Sequence, residues 1–247
     1  MPKGSYSVLF KTKIKKFSKI IEVDSDKSIS IRSFLIGSIC NGISEIKNIL
    51  ESEDIFSTIS CLKKLGVKIE KFGKDTYLIY GKGLGSLNAK KNLNLNCGNS
   101  GTCARLLIGI LSTTPNIKVK ISGDKSLKKR NMLNLLNIMS KFGAEFHPKK
   151  KFKLPLNITS SDMPTGIEYE SGVSSQLKSA AILASLNAYG DSTILEHKKF
   201  RSRDHTENIL LKNSNTLKIS NIKNIKNIKI VGKRIIKRLK FSVFGDP

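Results

Sequence analysis

"LNCGNSGTCARLLIGIL", residues 95–111, decides how the chain is read: Cys97 to Gly101 are small and polar, Arg105 follows within the first turns, and the rest is apolar. Gly, Ser and Asn directly before an apolar segment mark a helix N-terminus. Free backbone N–H groups and the helix dipole favour an anion there, and glycine lets it approach the backbone closely. Three further stretches repeat the arrangement: "DSDKSISIRS" (24–33), "SGDKSLKKRNM" (122–132) and "ESGVSSQLKSA" (170–180). Any one of them alone is accounted for by ordinary capping, because Ser and Asp are preferred N-caps. Four together, each with Arg or Lys after the small residues, point to a ligand with more than one anionic group.

Around these junctions the chain alternates strand and helix patterns. An extended "SKIIEVDS" (18–25) leads into a helical "SISIRSFLIGSIC" (28–40). In "EDIFSTISCLKKLG" (53–66) Ile55, Ile59, Leu62 and Leu65 share one helical face and Gly66 supplies the stop. "VKIEKFGKDTYLIYG" (67–81) reads as a hairpin around Gly73 to Asp75. "RNMLNLLNIMSKFGAEFH" (130–147) predicts a helix closing on Gly143, and "SSQLKSAAILASLNAYG" (174–190) one closing on Gly190, each followed by a β-like stretch. A repeated unit of strand, helix, strand, helix and paired strands predicts an α/β (α+β) architecture with several similar units. The Asn/Lys/Ile-rich stretch 212–240 reads either as divergent strands or as a poorly ordered segment.

Composition narrows the function classes. The 247 residues suffice for a substantial core, and 39% are hydrophobic, but the apolar runs fall far short of the roughly 20 residues a helical membrane span needs. "MPKGSYSVLFKTKIKKF" (1–17) lacks the apolar core and cleavage site of a secretory signal, so a mature cytoplasmic chain is expected. The formal charge of +25 suggests a polyanionic partner. Much of it is Lys scattered beside Asn and Ile, however, and with 6% aromatics there is no stacking platform for nucleic acid. A small anionic substrate fits as well. Cys40, Cys61, Cys97 and Cys103 form no C-x-x-C pair, so neither a disulfide framework nor a zinc site is indicated, and His147, His197 and His205 are too dispersed to argue for a metal.

The motifs "DKSISIR" (26–32), "SEDIFSTISCLKKLG" (52–66), "GNSGTCARLL" (98–107), "GDKSLKKRNM" (123–132), "SSQLKSAAILA" (174–184) and "SRDHTENIL" (202–210) together resemble, in order and spacing, the 5-enolpyruvylshikimate-3-phosphate synthase family of enolpyruvyl transferases. The resemblance implies repeated βαβαββ units and transfer of the enolpyruvyl group of phosphoenolpyruvate to the 5-hydroxyl of shikimate 3-phosphate. Phosphate is released, and the reaction serves chorismate and aromatic amino-acid biosynthesis with no cofactor and no metal. Both substrates carry a phosphate and a carboxylate, which suits clustered cationic junctions. By the same resemblance Lys27 is the catalytic candidate and touches both substrates. Ser28, Arg32, Ser174, Ser175, Gln176, Ser202 and Arg203 are implied to bind shikimate 3-phosphate, and Asn99, Ser100, Gly101, Arg130 and Gln176 phosphoenolpyruvate. His205 is balanced between ligand contact and helix capping. Arg105 and Asp54 are expected in ion-pair roles that stiffen the glycine loop, with a merely structural role as the alternative, while Lys128, Lys129 and Lys178 read as ordinary surface lysines. Because Gly101 has no side chain to crowd the phosphoenolpyruvate pocket, sensitivity of a full-length form to glyphosate is implied.

Departures bear on the expectation too. Ser25 and Asp26 stand where the family carries proline-glycine, and the closing "FSVFGDP" (241–247) looks like the start of a further junction. The resemblance implies a longer, two-domain, monomeric enzyme with its site in the cleft. Residues 1–21 are then expected as the first strand of the second domain, 22–240 as the shikimate-3-phosphate-binding domain and 241–247 as the return. On this reading the chain is truncated and inactive alone, because the acid/base carboxylates belong to the other half. No nucleic acid and no membrane is expected as partner. The alternative is a non-catalytic fragment or pseudoenzyme that binds small anions or nucleic acid.

Overall fold

The computed structural model describes residues 23–245 together with 9, 11 and 18. The first unit holds α1 (Lys27–Ser38), β1 (Asn41–Lys47), α2 (Glu53–Lys64), β2 (Lys68–Phe72) and β3 (Thr76–Lys82). The second runs β4 (Leu93–Asn96), α3 (Gly101–Ser112), β5 (Lys118–Ser122), α4 (Lys125–Lys129), α5 (Leu133–Lys141), β6 (Glu145–His147) and β7 (Leu156–Thr159). The third runs β8 (Glu168–Ser171), α6 (Ser175–Ser185), β9 (Asp191–His197), α7 (His205–Asn213), β10 (Leu217–Ile222) and β11 (Ile225–Val231), and β12 (Lys240–Ser242) follows.

Three four-stranded sheets share one topology, β12-β1-β3-β2, β4-β5-β7-β6 and β8-β9-β11-β10. In each the first two strands are parallel and the remaining pairs antiparallel. The repeated βαβαββ unit expected from the sequence is therefore present three times. The leading strand of the first unit is β12, with Glu45 opposite Lys240, so the far end of the described chain completes the sheet that α1 opens. Beside it Ser25 forms an antiparallel bridge with Gly245, and the Asp26 N–H donates to the Phe244 carbonyl at 2.9 Å. The segments entering and leaving the three units lie next to each other. Most of the strand expected over residues 1–21, and residues 246–247, lie outside the described residues.

Helices α1, α3 and α6 are buried nearly all round and form the inner layer, because apolar and small residues predominate in them and two of their charged side chains, Arg32 and Lys178, find partners inside. Gly109 sets the spacing of two of them: a Cβ there would lie 2.6 Å from the Ala180 carbonyl oxygen, so only a bare Cα lets α3 meet α6 so closely. Helix α2 keeps the amphipathic pattern, with Ile55 and Leu62 buried and Ile59 half-buried. Gly66 and Gly143 stand at φ +84° and +90° just past α2 and α5, as the stops required.

Three expectations are corrected or resolved. Helix α6 ends at Ser185 rather than running to Gly190, because the buried Asn187 turns its amide to the Thr113 carbonyl and accepts from Lys233 Nζ at 3.0 Å. The stretch 212–240 contributes β10 and β11, paired with Ile219 opposite Ile228. "GDKSLKKRNM" breaks at Arg130, whose extended backbone separates α4 from α5. Among the described residues no helix is long and apolar enough to cross a membrane.

Candidate functional site

The shared topology points the N-termini of α1, α3, α6 and α7 at one cavity of about 370 Å³, lined among others by Ser28, Arg32, Thr102, Ser175, Gln176, Ser202, Arg203 and His205. Gln176 is also part of the wall of a second cavity, about 450 Å³, with Arg105, Arg130 and Ser174. No carboxylate lines either cavity among the described residues. The junction residues themselves act as caps. Asp26 Oδ1 accepts from the Ile29 N–H at 2.6 Å, Ser100 Oγ from Cys103 at 3.2 Å, Asp124 Oδ1 from Leu127 at 2.7 Å and Ser174 Oγ from Leu177 at 3.4 Å. Capping satisfies one N–H at each end and leaves the dipoles of α1, α3 and α6 directed at the cavities.

At the first cavity Arg32 is held from three sides. Its Nε donates to Thr206 Oγ1 at 2.9 Å, and its two terminal nitrogens donate to the Ser28 carbonyl at 3.0 Å and Ser179 Oγ at 3.2 Å. Burial lowers its pKa to about 10, opposed by the charges of Glu207 and Asp26, so the guanidinium stays protonated at neutral pH. The 202–203 corner is anchored from the core. Ser202 donates to Glu196 Oε1 through its N–H at 2.9 Å and its hydroxyl at 3.0 Å, and Lys178 Nζ reaches the same oxygen at 2.7 Å. Lys178 Nζ also lies 2.8 Å from Glu207 Oε1, and these three side chains are at most 1% exposed. Burial pushes the Glu196 carboxyl up, but hydrogen bonds from Lys178 and Ser202 outweigh it and hold the pKa below the usual range. His205, with its Nδ1 buried and unpartnered, is held below the ordinary histidine pKa, first by burial and then by Arg32 and Arg203.

The second cavity is organised by glycine and amides. Arg105 donates to Gln176 Oε1 at 2.7 Å and to the Gly101 carbonyl at 3.3 Å, Gln176 Nε2 donates to Thr102 Oγ1 at 3.0 Å, and Arg130 donates to Asn99 Oδ1 at 2.9 Å. A Cβ on Gly101 would lie 2.5 Å from a terminal nitrogen of Arg130 and 2.7 Å from one of Arg105. The bare Cα thus admits two guanidinium groups side by side. Burial lowers the Arg105 pKa, and the charge of Arg130 adds to the effect.

The structure brings Ser28, Arg32, Ser175, Gln176, Ser202 and Arg203 to one cavity and places Ser174 and Arg130 at the other. Asn99 reaches the second through Arg130, Ser100 is fully buried as a cap, and half-exposed Lys27 pairs with Asp54 at 3.2 Å. Of the two residues expected in ion-pair roles, Asp54 pairs with Lys27, whereas Arg105 extends toward α6 and bonds the neutral Gln176. Lys178 is corrected from a surface lysine to a fully buried ion-pair centre. Glu196 and Glu207 escaped sequence reading altogether. The available signal was a charge at inward positions, Glu196 alternating with Ile194 and Ser192 along β9. Three dispersed cysteines, Cys61, Cys97 and Cys103, also meet in the core.

The family described as EPSP synthase (3-phosphoshikimate 1-carboxyvinyltransferase) matches residues 11–247. A 3-phosphoshikimate 1-carboxyvinyltransferase of Caldicellulosiruptor bescii is 45% identical over 198 residues, covering 79% of this chain and 44% of the relative. One from a Ruegeria species is 33% identical over 226 residues, covering 91% and 49%. The EPSP synthase structure from Acinetobacter baumannii superposes with a TM-score of 0.81 at 32% identity, covering 92% of this chain and 49% of that one. The chain spans about half the length of the curated relatives it matches.

Proposed function

This chain belongs to the EPSP synthase family, and from that premise we propose that its described residues form a shikimate 3-phosphate half-site flanked by a phosphoenolpyruvate corner. One observation carries the reading: four helix N-termini and the side chains of Ser28, Arg32, Ser175, Ser202 and Arg203 meet at a single cavity without a carboxylate. In this proposal Ser175, Ser202 and Arg203 hold the phosphate, Arg32 and Ser28 the carboxylate side, and Gln176 the ring between the two cavities. A phosphate there meets N–H donors, hydroxyls and a guanidinium together, which is the donor set that favours it most. Phosphoenolpyruvate belongs beside Gly101, Asn99 and Arg130, with Lys27 reaching both ligands from α1.

The reaction proposed is attack of the 5-hydroxyl oxygen on the enolpyruvyl carbon bearing phosphate with loss of the hydroxyl proton and proton delivery to the methylene carbon, then loss of phosphate as a proton leaves the resulting methyl group and the double bond is restored. Cations positioned at both phosphates stabilise the charge that develops on the leaving group. The hydroxyl proton needs a base, and neither cavity offers a carboxylate among the described residues. The 247 residues are therefore proposed to bind shikimate 3-phosphate weakly and to turn over little or nothing by themselves. Calorimetric titration of shikimate 3-phosphate into the chain, alongside a phosphate-release assay with both substrates, tests this. Saturable one-to-one binding abolished by Arg203→Ala, without turnover, is expected; turnover by the chain alone, or binding unaffected by that substitution, contradicts it.

A further inference from the structure

Away from both cavities, Cys61 on α2, Cys97 after β4 and Cys103 on α3 bring their sulfur atoms within 4.8 Å of one another, and each residue is at most 1% exposed. The fourth cysteine, Cys40, is not part of the group. Three thiolates on one centre with bonds of about 2.3 Å place the sulfurs about 4 Å apart if the centre is planar and about 3.5 Å apart if it is pyramidal, so sulfurs within 4.8 Å of one another need draw in only slightly to share it. Zinc sites of structural type take four ligands, and the oxygens beside the cluster are already engaged by the thiols: the Asn96 carbonyl accepts from Cys61 Sγ at 3.4 Å and Thr58 hydrogen-bonds Cys103.

Charge selects among thiophilic three-coordinate centres. Divalent zinc on three thiolates leaves one net negative charge and monovalent copper leaves two. Lys64, whose charge acts on Cys61, is exposed and directs its ammonium to the Asn94 carbonyl at 3.2 Å, so a net charge on the sulfurs lies in the core with only a distant, solvated cation, which is costly. Trivalent arsenic avoids that cost. As(OH)₃ and three thiols give As(SR)₃ and three waters: each S–H proton leaves with one hydroxide, three As–O bonds are exchanged for three As–S bonds, arsenic stays trivalent, and the product is neutral. We propose that Cys61, Cys97 and Cys103 form a buried trithiol site that captures trivalent arsenic.

The site lies directly beneath the glycine loop. Cys97 precedes Gly98, and the Cys103 N–H donates to Ser100 Oγ. Capture therefore ties α2 to the start of α3 at the corner that carries Gly101. Entry requires α2, an outer helix, to open locally. None of this depends on the identity of the substrates.

The test is arsenic K-edge absorption on the reduced 247-residue chain, incubated without oxygen with equimolar sodium arsenite, together with native mass spectrometry. Three sulfur neighbours, no oxygen, and a mass gain of one arsenic less three protons are expected. A shell of one or two sulfurs with oxygen retained, or no adduct on the folded chain, overturns the proposal. Cys40→Ala should keep the three-sulfur shell and Cys61→Ala should lose it; the reverse pattern overturns it. Should Cys61→Ala fail to fold by circular dichroism, the wild-type absorption spectrum still decides. A parallel incubation with zinc should show no retention against a chelator, and zinc that persists while arsenite is excluded rejects arsenic as the occupant.

Discussion

The two corners of the binding face are built from the same parts and held in opposite ways. Around Gly101, Arg105 and Arg130 are placed by neutral groups: a glycine that leaves room, a capping serine, and amides from Asn99 and Gln176. Around Ser202 and Arg203 the loop is tied to the interior by Glu196, which is paired to Lys178, which in turn faces Glu207. The first corner takes Asn99, Ser100, Gly101 and Arg105 from one short stretch and adds Arg130 and Gln176 from farther along the chain. The second is assembled from residues 178, 196, 202 and 207, and its order depends on buried charge.

That difference sets the expected responses. Lys178→Met leaves two core carboxylates with only the more distant Lys226, 3.9 Å from Glu196 and 4.0 Å from Glu207, and breaking a buried pair in this way costs about 3–5 kcal/mol. Urea unfolding should show that loss, with shikimate 3-phosphate binding lost alongside it; a change under about 1 kcal/mol would mean the charge cluster does not hold the corner.

Acid should strike the same corner next. The Glu196 pKa is depressed in the folded chain, so its contribution is fully present above the unfolded carboxylate value of about 4.3 and is lost as pH falls through the lower folded value. A urea midpoint followed from pH 7 downward should fall in that window in the wild type. Glu196→Gln should flatten this limb, and an unchanged limb would assign it to other groups.

Smaller effects belong to the glycine corner and its neighbours. Asp124→Ala removes the cap of α4 and should cost about 1 kcal/mol whether or not ligand is present. A larger cost in the presence of ligand would reassign Asp124 to the site. Gly101→Ala should leave thermal stability unchanged or raise it by up to about 1 kcal/mol, since alanine favours the helix. A crystal structure of that variant should nonetheless find Arg130 and Arg105 displaced, with phosphoenolpyruvate and glyphosate both bound more weakly; undisturbed guanidinium groups would remove Gly101 from the account.

Much of the fold could be read in advance because its signals are local. The apolar face of α2, the stops at Gly66 and Gly143 and the hairpin about Gly73 all lie within a few residues of what they determine. What escaped reading was non-local. The parallel strand beside β1 comes from residues 240–242, and Asn187 ends α6 early by bonding Thr113 across the inner layer. At the site, the residues after each small-residue junction were legible because a helix N-terminus advertises itself. Lys178 was not, since a lysine next to Gln176 looks solvated until Glu196 and Glu207 close over it from other elements. The trithiol cluster was hidden for the same reason, three cysteines without a common spacing meeting only in the folded core.

The most direct test of the central claim is a crystal structure of the 247-residue chain with shikimate 3-phosphate. The account predicts the phosphate at the N-terminus of α6, within hydrogen-bond distance of Ser175, Ser202 and Arg203, with Glu196 still accepting from Ser202. A phosphate bound elsewhere, or a 202–203 corner that rearranges away from Glu196 to meet it, would contradict the account.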